Sequence, residues 1–252
     1  MLGRLLSLGL FGLSLCAADV CNPTNLQGPY GFQLSGTTAI SGDTQPAASL
    51  GRIVFDGQGG ISGYSSVMFA GLLLGNPVTG TYEARPDCTV TWSLQDDSGG
   101  FQHFSGVITA DGRRMRFRQT DPGGVRDGLL QRTSDECTVS DLRKQYDFSL
   151  SGSYTPMMPG DIPAKVDATG KMAADPYGSF TLNRRGGDGA PADVALDLES
   201  DCVVHLEFTL PAKDGQAALP LNLRGILVDG AREILAIATD PGWMLSATFT
   251  GQ

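Results

Sequence analysis

The sequence predicts an all-β protein made by tandem duplication. Each of two units reads as a roughly eight-stranded antiparallel meander that closes into a small barrel or roll. Three observations predict this. Short runs alternate apolar and polar residues with period two, as strands with one buried face do. Tight-turn sequences separate those runs, and glycine supplies 34 of the 252 residues, about twice the usual share. One set of residues also occurs twice in the same order.

The first eighteen residues stand apart. Arg4 precedes an apolar stretch from Leu5 to Leu15, and the small residues Cys16-Ala17-Ala18 follow. This is the order of a secretory signal peptide, with cleavage expected after Ala18. The apolar run is too short to span a bilayer, and no later run reaches the length a transmembrane helix needs. Lipoprotein anchoring at Cys16 is the alternative; the large Leu15 stands where a small residue is expected. The domain expectation is therefore 1–18 signal peptide, 19–133 first β unit and 134–252 second β unit.

In the first unit the strand candidates are 30–37, 48–56, 60–74, 78–84, 89–95, 101–109, 114–120 and 125–132. Arg114-Met115-Arg116-Phe117-Arg118 alternates strictly, as does Thr89-Val90-Thr91-Trp92-Ser93-Leu94. Asp56-Gly57-Gln58-Gly59-Gly60 reads as a hairpin between two such runs. The third candidate is long enough to predict a bulge near Gly71. Asp121-Pro122-Gly123 fits a type II turn, proline presetting one central position and glycine taking the positive φ of the other. In the second unit Val204, Leu206, Phe208 and Leu210 alternate. The stretch 155–195 is blurred by Pro and Gly, and Ser140 to Lys144 reads as a short helical turn between the units.

The repetition is specific. Tyr30-Gly-Phe32-Gln-Leu34-Ser-Gly36 matches Tyr146-Asp-Phe148-Ser-Leu150-Ser-Gly152. Asp87-Cys88 matches Asp201-Cys202, Asp111-Gly112 matches Asp229-Gly230, and Thr120-Asp121-Pro122-Gly123 matches Thr239-Asp240-Pro241-Gly242. Offsets stay between 114 and 119. Beyond the leader four cysteines remain, Cys21, Cys88, Cys137 and Cys202, and four cysteines allow three pairings. The spans Cys21 to Cys88 and Cys137 to Cys202 are 67 and 65 positions, so pairing within each unit follows most simply. Buried free thiols are the alternative. There is no Cys-x-x-Cys and only two histidines, so no metal or other cofactor is expected. A transmembrane β-barrel is a rival architecture; it needs strands of about 9–11 residues, longer than the candidates here.

These anchors resemble a group of secreted β-rich repeat proteins of soil bacteria: the aromatic-Gly-Phe-x-Leu-Ser-Gly strand, Phe-Asp-Gly-x-Gly, Gly-Thr-Tyr ahead of Asp-Cys-Thr, and Thr-Asp-Pro-Gly. The match is looser in the second unit, where Val166-Asp167-Ala168-Thr169-Gly170 takes the place expected for the Phe-Asp-Gly hairpin. The resemblance implies bacterial origin, export and a β meander, and carries no activity. A likeness of shape to lipocalin-type and allene-oxide-cyclase-type barrels predicts no function.

The formal net charge is −9, and loss of Arg4 makes the mature chain one unit more acidic. This gives no general attraction to nucleic acid. Gly-x-Ser-x-Gly, phosphate-binding loops and His-Glu-x-x-His are absent. Asp121 and Asp240 read as turn-capping residues. Arg113, Arg114, Arg116 and Arg118 form a local basic stripe that the second unit lacks. His103 and Tyr82 are the candidates for catalysis. Phe69, Leu72 and Leu73, in the most apolar segment of the mature chain, are candidates for lining a ligand cavity, with core filling as the default. The expectation is a secreted or periplasmic, non-enzymatic protein that binds a small apolar ligand or a partner. A barrel-cavity isomerase or cyclase and a surface adhesion or structural module are the alternatives.

Overall fold

A computed structural model describes residues 26–40, 43–69, 71–154, 164–215 and 217–252. The signal-peptide expectation for residues 1–18, including Cys16, and Cys21 lie outside these. Eight strands form the first barrel: β1 (Gln27–Ile40), β2 (Asp43–Asp56), β3 (Gly60–Phe69), β4 (Leu72–Ala84), β5 (Thr89–Asp96), β6 (Phe101–Ile108), β7 (Arg114–Gln119) and β8 (Gly124–Arg132). A 3-10 turn at Val139–Asp141 follows. The second barrel comprises β9 (Gln145–Tyr154), β10 (Ala164–Ala174), β11 (Phe180–Arg184), β12 (Ala192–Leu198), β13 (Val203–Leu210), β14 (Leu219–Val228), β15 (Glu233–Ala238) and β16 (Trp243–Gly251). Each set is an antiparallel meander whose first strand pairs with its last, so both sheets are closed and neither leaves a free edge.

Two expectations about elements are corrected. The run 60–74 is two strands, not one with a bulge: β3 and β4 pair Phe69 with Leu72 across a tight turn, and Gly71 takes φ +76° there. The segment Val166–Gly170 is no hairpin but the middle of β10, paired with Ser149 to Gly152 of β9 and Phe148. The equivalent of Asp56–Gly60 is Asp175-Pro176-Tyr177-Gly178-Ser179, between β10 and β11. Asp56 accepts the N–H groups of Gln58 and Gly60, and Asp175 accepts those of Tyr177 and Ser179. A carboxylate serves the turn in both places, so the chemistry is repeated although the letters are not.

The repeated anchors occupy matching positions. Tyr30 and Tyr146 point inward, fully buried, and their hydroxyls donate to the carbonyls of Gly112 and Ala231 in the turns after β6 and β14. Phe32 lies over Gly51 of β2, and Phe148 over Gly170 of β10. A Cβ at either glycine would collide with the ring, which is why a strand interior tolerates glycine here. Cys88 and Cys202 both sit in the left-handed region, at φ 69° and 71°. Asp87 and Asp201 cap those turns by accepting the N–H of Thr89 and Val203. Cys137 is bonded to Cys202. Cys88 is also in a disulfide, and its expected partner Cys21 lies outside the described residues.

Side chains fill both interiors. In the first barrel two groups of rings, Tyr30 with Phe55 and Tyr82, and Phe32 with Trp92, Phe104 and Phe117, have neighbouring centroids 4.9 to 6.4 Å apart. The second barrel replaces several of these with aliphatics. Leu206 and Leu223 face each other where Trp92 and Phe104 do, and Ala236 stands for Phe117. The outer faces of most strands carry polar groups, among them Arg116, Arg118, Glu207 and Thr209. A membrane barrel has the opposite arrangement, an apolar band outside. No helix among the described residues is long and apolar enough to cross a membrane.

The barrels pack on one another through a third apolar cluster. Ala48, Leu50 and Met68 from the outer wall of β2 and β3 meet Ile226, Val228, Leu235, Ile237 and Met244 from β14 to β16. Gln33 Nε2 reaches across to the carbonyls of Ala236 (2.6 Å) and Ala247 (3.0 Å), and Thr133 Oγ1 donates to Leu227 O (2.5 Å). Arg113 pairs with Asp229 and Arg114 with Glu233. The basic stripe is thereby explained. Its positions on the outer wall of β7, Arg116 and Arg118, correspond to Leu235 and Ile237 on β15, which face the other barrel instead of water.

Candidate binding site

Clefts with mixed polar and apolar lining open on the same outer wall of each barrel. In the first, a cleft of about 430 Å³ is lined by Thr81, Glu83, Thr91, Ser93, His103, Ser105 and Thr120, among others, on β4 to β6. Its counterpart on β12 to β14, about 370 Å³, is lined by Asp197, His205, Glu207, Asn222 and Thr239. Hydroxyls dominate the first cleft. Thr81, Ser93 and His103 form a row across three strands by register, with Thr81 Oγ1 and Ser93 Oγ 3.4 Å apart.

Each cleft ends at the aspartate of the Thr-Asp-Pro-Gly turn. Asp121 Oδ2 accepts the backbone N–H of His103 (2.8 Å), and its Oδ1 faces His103 Nδ1 (2.7 Å). Asp240 makes the same pair of bonds with Asn222, Oδ2 to the backbone N–H and Oδ1 to Nδ2, both 2.7 Å. These carboxylates clamp their turns to the start of β6 and β14, in place of the cap on their own turn that the sequence suggested. Nothing in the sequence alone pairs Asp121 with His103, since eighteen residues separate them.

The first barrel adds a relay that the second lacks. Arg126, buried at the mouth of the barrel, donates from Nε to Gln119 Oε1 (2.5 Å), and Gln119 Nε2 donates to Asp121 Oδ2 (2.8 Å). The chain Arg126–Gln119–Asp121–His103 thus crosses the rim from the interior to the outer wall. Burial pushes the Asp121 carboxyl up, but the hydrogen bonds from His103 and Gln119 outweigh it and hold the group below the ordinary aspartate value. Burial lowers the Arg126 guanidinium, and the Asp121 charge opposes that. By register the second barrel has Leu245 and Ala238 in place of Arg126 and Gln119. His103 is 56% exposed at its side chain. Two residues along the same face, Phe101 is 58% exposed, its ring nearly parallel to the imidazole at 6.4 Å.

The other sequence candidates fall elsewhere. Tyr82 points into the first barrel, where its hydroxyl donates to Leu26 O (3.0 Å) and its ring meets Phe55 edge-on. Phe69 is half-buried at the end of β3. Leu72 (53% exposed) and Leu73 stand with Leu74 on the β3–β4 hairpin, in solvent. Core filling, the default for this segment, is not met, because the hairpin runs past the barrel rim to the second barrel, where Gly71 O accepts the N–H of Gly242. His205 pairs with Glu199 at 2.8 Å and stands opposite Asp197 and Arg224, in a row of charges across the wall. Among the described residues no group of three His, Cys, Asp or Glu gathers in a way that holds a metal.

No protein-family model and no curated protein matches the chain. Among solved structures, the chain is similar to the crystal structure of the Myxococcus xanthus hemagglutinin in complex with a3,a6-mannopentaose. The two are 14% identical, over 87% of this chain and 99% of that one, with a TM-score of 0.16. At that score the two chains do not superpose as wholes, and the likeness carries no argument about this protein.

Proposed function

We propose that this is an exported, non-enzymatic binding or adhesion module that works from the outer walls of two filled barrels. The packed interiors carry this reading. A lipocalin-like ligand needs a hollow barrel, and the ring cluster of the first barrel and the aliphatic cluster of the second occupy that space. The barrel-cavity enzyme loses its basis with the same observation. Of its two candidates, Tyr82 is committed to a backbone carbonyl inside and His103 stands on the outer wall. Export is supported by the leader-like order of residues 1–18 and by disulfides, which persist in oxidising compartments.

The test pairs native mass spectrometry with a pull-down. Protein purified from the producing cells should fly at its bare mass and should be retained by immobilised cell-envelope polysaccharide. A stoichiometric apolar ligand carried through purification would overturn the outer-wall reading.

A further inference from the structure

We propose that the two barrels have divided their roles: the first barrel's cleft holds a hydroxylated ring of the carbohydrate type, with His103 Nε2 accepting a ligand hydroxyl and Phe101 supplying the stacking face. This deepens the outer-wall binding reading and rests on it. The duplication itself supplies the comparison. The clamp to the Thr-Asp-Pro-Gly turn needs only a backbone N–H and one side-chain N–H, and Asn222 meets that need in the second barrel. Asparagine is therefore sufficient for the fold, and the imidazole at the matching position adds something the fold does not use.

What it adds is a second nitrogen. Asp121 faces Nδ1 as an ionised acceptor, so Nδ1 carries the proton and Nε2 is a bare acceptor in the neutral ring. Gln119 and Arg126 act through Asp121 and are positioning residues. With the two bonds from His103, the bond from Gln119 leaves the carboxylate little freedom to rotate. A buried guanidinium is costly and stays only where its donors are used. The second barrel has Leu245 and Ala238 at these places, and its own buried arginine, Arg184, donates to the Pro211 carbonyl instead. The surroundings suit a ring that carries hydroxyls. Thr81, Thr91, Ser93 and Ser105 offer groups that both donate and accept, Glu83 offers a strong acceptor, and exposed Phe101, outside the lining but beside His103, offers an apolar face against the axial C–H groups of a sugar. Pro220 occupies the place of Phe101 in the second barrel, so the platform too is confined to the first.

The experiment uses an array of immobilised oligosaccharides and ¹⁵N spectra of the histidine rings. His103→Asn, which copies the second barrel's clamp, should leave thermal stability unchanged and weaken array binding at least tenfold. Phe101→Ser should weaken it similarly, and Glu207→Gln in the second cleft should leave it unchanged. The spectra should place the His103 proton on Nδ1 and show the Nε2 resonance moving when the best-bound oligosaccharide is added. Binding that survives His103→Asn within twofold, or a proton found on Nε2, overturns the proposal while outer-wall binding stands. A wild-type protein that binds envelope polysaccharide but nothing on the array overturns the assigned site and ligand class. Failure on both surfaces overturns the binding reading itself.

Discussion

Asp121 is joined to His103 at two atoms, backbone nitrogen and ring nitrogen, through its two carboxylate oxygens. The same pair of hydrogen bonds from Asn222 to Asp240 makes the arrangement a property of the repeat. Asp240→Ala leaves a backbone N–H and an amide without their acceptor. Because Asn222 is exposed, the freed donors return to water, and the loss is the net worth of the bonds, about 0.5–1.5 kcal/mol each. The urea midpoint should fall accordingly, with the slope unchanged.

Acid should act through the turns. The carboxyls of Asp56, Asp87, Asp96 and Asp111 are held below the ordinary aspartate value because they accept N–H or hydroxyl groups of their own turns, and that of Asp121 because it accepts from His103 and Gln119. Each binds its proton less tightly in the folded chain than in the unfolded one. Their stabilisation is complete above pH 3.8 and is lost as pH falls through the lowered folded values. Unfolding monitored from pH 6 down to pH 2 should show a level plateau and then a steep decline below about pH 4. A decline that begins near pH 6 would mean that these carboxyls do not set the acid limit.

The disulfide of the second barrel closes a loop of 65 residues. On the chain-entropy account, its loss costs about 4 kcal/mol. Cys137→Ser with Cys202→Ser should therefore lower the midpoint strongly. Peptide mapping without reduction should link Cys88 to Cys21, and a Cys21–Cys137 peptide would break the one-bond-per-unit expectation.

Gly51 and Gly170 lie under the rings of Phe32 and Phe148. Alanine at either place meets the ring and also a backbone carbonyl of the next strand, Tyr64 O at Gly51 and Asn183 O at Gly170, and overpacking of this kind costs about 1–3 kcal/mol. The substitution should be rescued in part by Phe32→Leu or Phe148→Leu, measured as a non-additive double-mutant cycle.

Because the outer walls of β2, β3 and β14 to β16 bury a shared apolar cluster, the two barrels should unfold in a single transition. Leu50→Lys buries a charge in that cluster, and Gln33→Leu removes the donor that serves Ala236 and Ala247. Calorimetry of either variant should separate the barrels into two transitions. A wild type that already unfolds in two steps would mean that the seam does not couple them.

The sequence by itself determined the repeat and the strands, because a strand's period is local and turn chemistry is carried by one or two residues. Tyr30 with Tyr146, Asp87 with Asp201, and the two Thr-Asp-Pro-Gly turns can be read without coordinates. Where turn letters diverged, as at Asp175-Pro176-Tyr177-Gly178-Ser179, the reading slipped to Val166–Gly170. There the repeated feature is a hydrogen-bond pattern that different residues satisfy. Two kinds of information belong to the tertiary structure alone. One is which face of a strand meets the other barrel: Arg116 and Arg118 on β7 against Leu235 and Ile237 on β15 is legible as a difference, but its reason is the seam. The other is the assembly of His103, Asp121, Gln119 and Arg126. These residues come from β6, β7, β8 and a turn, and no spacing rule joins them. The β6–β7–β8 meander sets Gln119 beside Arg126, and the pleat turns both inward, so that Gln119 at the rim links a buried arginine to an imidazole on the outer wall.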